Sequence, residues 1–182
     1  DAGIGAVFTS MVSEHCLTGP CGGGVMLASP KNGEPIIYDF FVDAIPLDDN
    51  SIDKKDFFSV TVDFGSAKQI FYTGKASIGI PGTLIGLIQA HKELGKVPLE
   101  NILKPAIYYA KSGAIINKSQ FYVMQLLEDI LRHDPNSRNL YFDNDKLLSK
   151  WGTTDINLCA KIHLISIMQQ QRFDKEISFL LD

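Results

Sequence analysis

The hydrophobic pattern of this chain changes period at Pro81-Gly82. Before that dipeptide, apolar residues come in short runs of strand length. After it they recur about every three to four residues, as on one face of a helix. The runs 25–28 and 35–42 predict two strands. The turn Lys31-Asn32-Gly33-Glu34 between them carries the Asn-Gly pair of a tight hairpin. Residues 57–64 alternate as a third strand, Gly65-Ser66-Ala67 turns the chain, and 69–73 is placed to pair with it. The first segment, Ala2–Ser13, is rich in Ala, Gly, Val, Ser and Thr. It reads as a small-residue helix suited to close packing on a sheet, although Gly3 and Gly5 each cost about 1 kcal/mol there.

Beyond Pro81-Gly82, Leu84, Leu87, Ile88, His91 and Leu94 mark one helical face that Gly95 ends. Leu99, Ile102, Leu103, Ala106, Ile107 and Ala110 mark a second, with Gly113 as its C-cap. Asn117 followed by Gln120 has the spacing of a capping box. The helix it opens would bury Val123, Met124, Leu127, Ile130 and Leu131 and end before Pro135. A fourth helix is expected from Asp155, with Leu158, Ile162 and Ile165 inward, and a short fifth over 173–181. One helix, a run of strands and then a block of helices predicts an α+β fold with helices on one side of a sheet. No repeat or linker interrupts residues 1–182, so a single domain is expected. An independent domain would close its sheet with more strands. The helical block is therefore expected to dock elsewhere and to leave a large apolar patch of the kind that marks an interface.

Composition changes this picture little. A chain of 182 residues, 45% hydrophobic and 21% charged, can bury a core of ordinary size. Its net charge of −4 disfavours nucleic acid, which calls for a basic face. No apolar run reaches the roughly 18 to 20 residues that span a bilayer. The sequence starts at Asp1 rather than Met, so a preceding segment is expected. Three cysteines, Cys16, Cys21 and Cys159, make no disulfide framework. His15, His91, His133 and His163 are scattered, and no metal site is expected.

The chemistry-bearing residues give little by themselves. Ser10, Ser13, Ser77 and Thr83 are available hydroxyls, but no G-x-S-x-G elbow presents a nucleophile. Cys16 follows His15, yet adjacent side chains on a helix do not face each other. His91 reads as a packed, hydrogen-bonded histidine. The acidic stretch 47–56 reads as a solvated loop, and Asp39, Asp43 and Asp63 as turn formers at strand ends. Gly22, Gly23 and Gly24, entered through Gly19-Pro20-Cys21, allow two readings. One is backbone geometry and close packing; the other is close approach of the backbone to a ligand. They are no dinucleotide or phosphate loop, since they lead into a strand and no Gly-Lys-Ser/Thr follows.

An ordered set of segments nevertheless resembles the large subunit of gamma-glutamyltransferases. The helix up to Glu14, the segment Gly22-Gly23-Gly24-Val25-Met26-Leu27 and the strand ending in Tyr38-Asp39-Phe40 come first. Ser77-Ile78-Gly79-Ile80-Pro81-Gly82-Thr83-Leu84-Ile85-Gly86-Leu87, Leu94-Gly95-Lys96-Val97-Pro98-Leu99 and Lys104-Pro105-Ala106-Ile107 follow in family order. The similarity is strongest to about residue 119 and thin beyond 155.

The resemblance implies part of an N-terminal-nucleophile hydrolase αββα sandwich and no cofactor. It implies a precursor that cuts itself into a heterodimer of large and small subunits. The new N-terminal threonine of the small subunit attacks a gamma-glutamyl carbonyl with its own amine as base. No segment here resembles that small subunit, so the catalytic threonine is expected outside this chain, on a small subunit or the remainder of the polypeptide. The family also implies an arginine just after the hairpin strand, clamping the donor's α-carboxylate. Here that place, after Asp39 and Phe40, holds Phe41, and no arginine precedes Arg132. Asp39 and Phe41 are the expected substrate-binding positions of a divergent member. Two alternatives remain: an amidohydrolase or acylase of the same fold with altered specificity, and a non-catalytic binding or structural module. Phe41 is either a wall of the cleft or an inward core residue of its strand.

Overall fold

The computed structural model describes residues 1–44 and 57–148. The helices expected from Asp155 onward, the loop 47–56, Cys159 and His163 lie outside those residues. The described chain runs α1 (Ala2–Ser13), β1 (Gly24–Ala28), β2 (Ile36–Phe40), β3 (Phe58–Asp63) and β4 (Lys68–Thr73). It continues through α2 (Thr83–Leu94), α3 (Leu99–Ser112), α4 (Lys118–Leu126), α5 (Glu128–His133), α6 (Pro135–Tyr141), β5 (Phe142–Asp143) and β6 (Lys146–Leu147). This mixture is α+β. The described residues fall into two compact units, one of 1–42 and 81–115, the other of 43–44, 57–80 and 116–148.

The first unit is built around α1. Its small residues let it pack closely along α3: a Cβ on Gly5 would stand 3.2 Å from Ile102 Cγ2. Ile4, Phe8, Met11 and Val12 of α1 join Leu87 and Ala90 of α2 and Ile102, Leu103, Ala106 and Ala110 of α3 in one buried cluster. β1 and β2 pair antiparallel with Gly24 opposite Phe40, Met26 opposite Tyr38 and Ala28 opposite Ile36. Alternation then sends Met26, Tyr38 and Phe40 onto the helical cluster.

The turn between these strands departs from expectation. The register leaves the seven residues 29–35 unpaired, in place of a tight two-residue Asn-Gly turn. Pro30 and Pro35 lack the N–H groups that pairing closer to the turn requires. Gly33 still takes a positive φ of 141°. Gly95 ends α2 as expected, but in extended rather than left-handed conformation. Glycine is required there by closeness, because a Cβ would press on the His91 carbonyl and ring. Gly113 does take the positive φ, 84°, of a glycine cap, and its N–H donates to the Tyr109 carbonyl.

In the second unit β3 and β4 pair antiparallel from Phe58–Thr73 to Asp63–Lys68. Gly65, at φ 85°, makes the turn, and Asp63 accepts from its N–H at 2.8 Å. The capping box forms as the spacing predicts. Asn117 Oδ1 accepts from Gln120 N–H at 2.9 Å, and Gln120 Oε1 accepts from Asn117 N–H at 2.8 Å. The helix it opens is shorter than expected. It breaks at Leu127 (φ −94°, ψ 7°) into α4 and α5, and of its five predicted inward residues only Met124 is fully buried. Its second piece, α5, ends at His133, before Pro135 as expected. Pro135 occupies the first turn of α6, where its missing N–H costs no hydrogen bond, and Asp134 caps the N–H groups of Asn136 and Ser137. Asn144 and Asp145, at φ 47° and 62°, turn β5 into β6. Both residues tolerate the left-handed region that a two-residue hairpin demands.

Candidate functional site

The glycine run and the Pro-Gly-Thr segment meet at one carbonyl. Gly22 O accepts from the N–H groups of Gly82 and Thr83 at 3.1 and 3.2 Å, which seats the start of α2 on the entrance to β1. The glycines there are needed for space. A Cβ on Gly23 would fall on the backbone of Phe41 and Val42, and one on Gly82 on the carbonyl of Phe40. Close packing therefore accounts for Gly23. It also brings residues 40–42 against two glycine backbones and fixes where the chain emerges from β2.

At that exit Phe41 N–H donates to Asp39 Oδ1 at 3.1 Å, a local turn that holds the two candidate residues together. Both are exposed, Phe41 by 70%. Phe41 lies past the last residue of β2 and outside the buried cluster, so it is no inward core residue of its strand. Asp39 stands opposite Val25 on the outer face of the hairpin. Val25 (62% exposed), Leu27 (67%) and Ile37 (68%) share that face, which is apolar and uncovered among the described residues.

On the other side of β2, Tyr38 Oη donates to Glu93 Oε2 at 2.6 Å, and Gln89 also donates to Glu93. The Tyr38 bond is the first cause that holds the Glu93 carboxyl below its ordinary range. The same bond raises the Tyr38 phenol. The pair ties the strand carrying Asp39 to α2. His91 is packed and bonded as expected: its Nε2 lies 2.8 Å from the Val97 carbonyl oxygen. Asp1 closes the same corner by accepting from Lys96 and Val97 N–H.

The hydroxyl candidates separate. Ser10, Ser13 and Ser77 donate to the carbonyls of Val7, Thr9 and Gly74. Thr83 is nearly buried, and its hydroxyl takes no hydrogen bond among the described residues. The dismissal of Cys16 beside His15 is corrected. α1 ends at Ser13 and residues 14–17 form a turn, which brings Cys16 Sγ to 3.6 Å from His15 Nε2. Helix geometry no longer applies past Ser13. Burial lowers the His15 imidazole from its usual value, so its neutral form is favoured.

Arg132, the first arginine of the chain, is engaged. It donates to Glu128 and Asp145 and lies 4.3 Å over the Phe142 ring, while Arg138 also donates to Asp145. Among the described residues no group of three or more His, Cys, Asp or Glu side chains can hold a metal ion. No described helix is long and apolar enough to cross a membrane.

Comparison with known proteins accounts for these motifs. The family model of gamma-glutamyltranspeptidase matches residues 1–173. The glutathione hydrolase proenzyme of Pseudomonas aeruginosa is 31% identical over 126 residues, 69% of this chain and 21% of that protein. The corresponding Escherichia coli proenzyme is 27% identical over 149 residues, 80% of this chain and 24% of that one. The chain thus spans under a quarter of the length of these relatives. The crystal structure of Helicobacter pylori gamma-glutamyltranspeptidase superposes with a TM-score of 0.71 at 22% identity, over 92% of this chain and 46% of that one. The fold is therefore that of the gamma-glutamyltranspeptidases, as the ordered motifs imply. The chain belongs to the gamma-glutamyltranspeptidase family.

Proposed function

We propose that this chain is a large-subunit segment of a threonine-nucleophile enzyme that hydrolyses or transfers gamma-glutamyl groups. The observation that carries this reading is the family match over residues 1–173, with the glycine run, the hairpin and the Pro-Gly-Thr segment joined at one point. The chain supplies the scaffold and one wall of the substrate cleft. A small subunit or the remainder of the polypeptide, released by self-cleavage, supplies the threonine and covers the apolar outer face of Val25, Leu27 and Ile37. Asp39 and Phe41 face the donor. The Asp39 carboxylate suits the ammonium of a gamma-glutamyl group, and Phe41 offers no partner for its α-carboxylate.

Phe41 also supports a second reading on the same fold, an amidohydrolase or acylase whose donor lacks a free α-carboxylate. The exposed ring suits an apolar acyl or amine portion better than a charge.

A chromogenic gamma-glutamyl anilide tests the first reading. The 182-residue chain alone should release no chromophore, and the chain joined to its threonine-bearing remainder should. Turnover by the chain alone, or no turnover of a gamma-glutamyl anilide by the assembled protein, would overturn it; turnover of a simple acyl anilide in its place would support the second reading.

A further inference from the structure

The helix-facing side of the β1–β2 hairpin, opposite Asp39, holds a cavity of about 310 Å3. Val7, Met26, Phe40 and Leu87 give it apolar walls, and Gly22, Gly23 and Gly24 contribute bare backbone. Its volume is at the lower end of ligand pockets, about 300 to 1,000 Å3. Thr83 lines it and is only 6% exposed. The Thr83 N–H is taken by Gly22 O, but its hydroxyl has no partner among the described residues. No fully sealed side-chain oxygen or nitrogen lacks a partner there. This hydroxyl therefore keeps some exposure, and it stands at the cavity lining, 3.6 Å from where a Cβ on Gly22 would be. Buried hydroxyls are costly to leave unpaired, so this one calls for an acceptor or donor in the space it lines.

The lining also says what that group is. It includes no Lys, Arg, His, Asp or Glu, so a charge would enter without a counter-charge. The cavity adjoins the start of α2, which elsewhere would favour an anion. Here the N–H groups of Gly82 and Thr83 are both committed to Gly22 O, whose own partial negative charge opposes one.

We propose that this cavity binds a small uncharged ligand with a compact apolar body and a single hydrogen-bond acceptor, held by the Thr83 hydroxyl. The site lies behind the hairpin and goes beyond the gamma-glutamyl reading, so either can fail without the other.

Cyclohexanone and methylenecyclohexane test it, because they share a shape and differ in the acceptor. Titrated into the full chain and followed by amide NMR, cyclohexanone should shift Gly22, Gly23, Gly24 and Thr83, and methylenecyclohexane should bind about fivefold more weakly. Thr83→Val should abolish that preference while still binding both probes. Thr83→Ser, which keeps the hydroxyl, should retain it and guards against a folding effect. Absence of shifts at these amides, equal affinity for the two probes in the unaltered chain, or an undiminished preference in Thr83→Val would each overturn the proposal.

Discussion

The Cα of Gly86 on α2 lies against the ring of Phe40 on β2, with no room for a methyl group between them. Gly3 on α1 is the opposite case, with nothing within 4 Å of where its Cβ would be. Both are helical glycines, so intrinsic propensity favours alanine at both by about 1 kcal/mol. Packing separates them. Gly86→Ala should lower stability by about 1 to 3 kcal/mol through overpacking, and Gly3→Ala should raise it by about 0.5 to 1 kcal/mol. Denaturant unfolding of the two variants checks this. A stabilising Gly86→Ala would mean that the hairpin does not sit on α2 as described.

The capping box sets a second expectation. Asn117 and Gln120 satisfy each other's N–H groups at the start of α4, a short helix with little burial of its own beyond Met124 and Gln120. Asn117→Ala should cost about 1 kcal/mol, and Asn117→Ser much less, because serine also accepts at that position. Hydrogen exchange of the Gln120 amide should report the loss locally.

How much of this was legible in the sequence depended on whether the determinant was local. The box at Asn117 and the extent of α1 appear where the sequence puts them. Of the expected α2 face Leu87 and Ile88 are buried, but Leu94 at its end is exposed, and Thr83 and Ala90, outside that face, are buried. The break at Leu127 does not follow from spacing, because nothing in 117–135 forbids one continuous helix. The short β5–β6 hairpin was readable in principle from Asn144-Asp145, two residues that accept positive φ. Pro135 marks the stop of α5 at His133 as expected, but it also opens α6, because proline fits the first turn of a helix. At the site, the ordered motifs indicated the family. The contact of Gly22 O with the Pro-Gly-Thr segment, about sixty residues away, needed the fold, and so did the Thr83 hydroxyl left unpartnered among the described residues.

Acid should destabilise the chain in two separate windows. The His15 imidazole is lowered by burial, so the folded state resists a proton that the unfolded state takes up. Its contribution is fully present above about pH 6.5 and is lost as pH falls through the lower folded value. The Asp145 carboxyl is held low first by the Arg138 hydrogen bond and also by Arg132. Its contribution is present above about pH 3.9 and is lost below that, as the folded form titrates. Unfolding measured across pH should show both slopes. His15→Gln should flatten only the upper one and Asp145→Asn only the lower. An unchanged upper slope in His15→Gln would show that another group titrates there.

The last expectation concerns Phe41 and rests on the proposed gamma-glutamyl site. The ring is 70% exposed beyond the end of β2, so replacing it by arginine places the charge in solvent rather than in the core. Stability should then change by no more than about 0.5 kcal/mol, the usual range for a surface substitution. Function should change by more. A guanidinium beside Asp39 would meet a donor carboxylate in a charge-assisted pair worth roughly 1.5 to 3 kcal/mol, or about tenfold to over a hundredfold in affinity. Asp39 limits the gain, because it can itself draw in the new arginine. Asp39 Oδ1 already accepts from the residue-41 N–H, which keeps the two positions adjacent. In the assembled protein, Phe41→Arg should therefore bind glutathione more tightly and leave a donor lacking a free α-carboxylate unaffected. Phe41→Lys should give a smaller gain, since an ammonium cannot pair bidentately. Melting temperature and glutathione affinity, measured on the same preparations, separate a binding effect from a folding one. Tight glutathione binding by the unaltered protein would place the carboxylate elsewhere and remove residue 41 from the site.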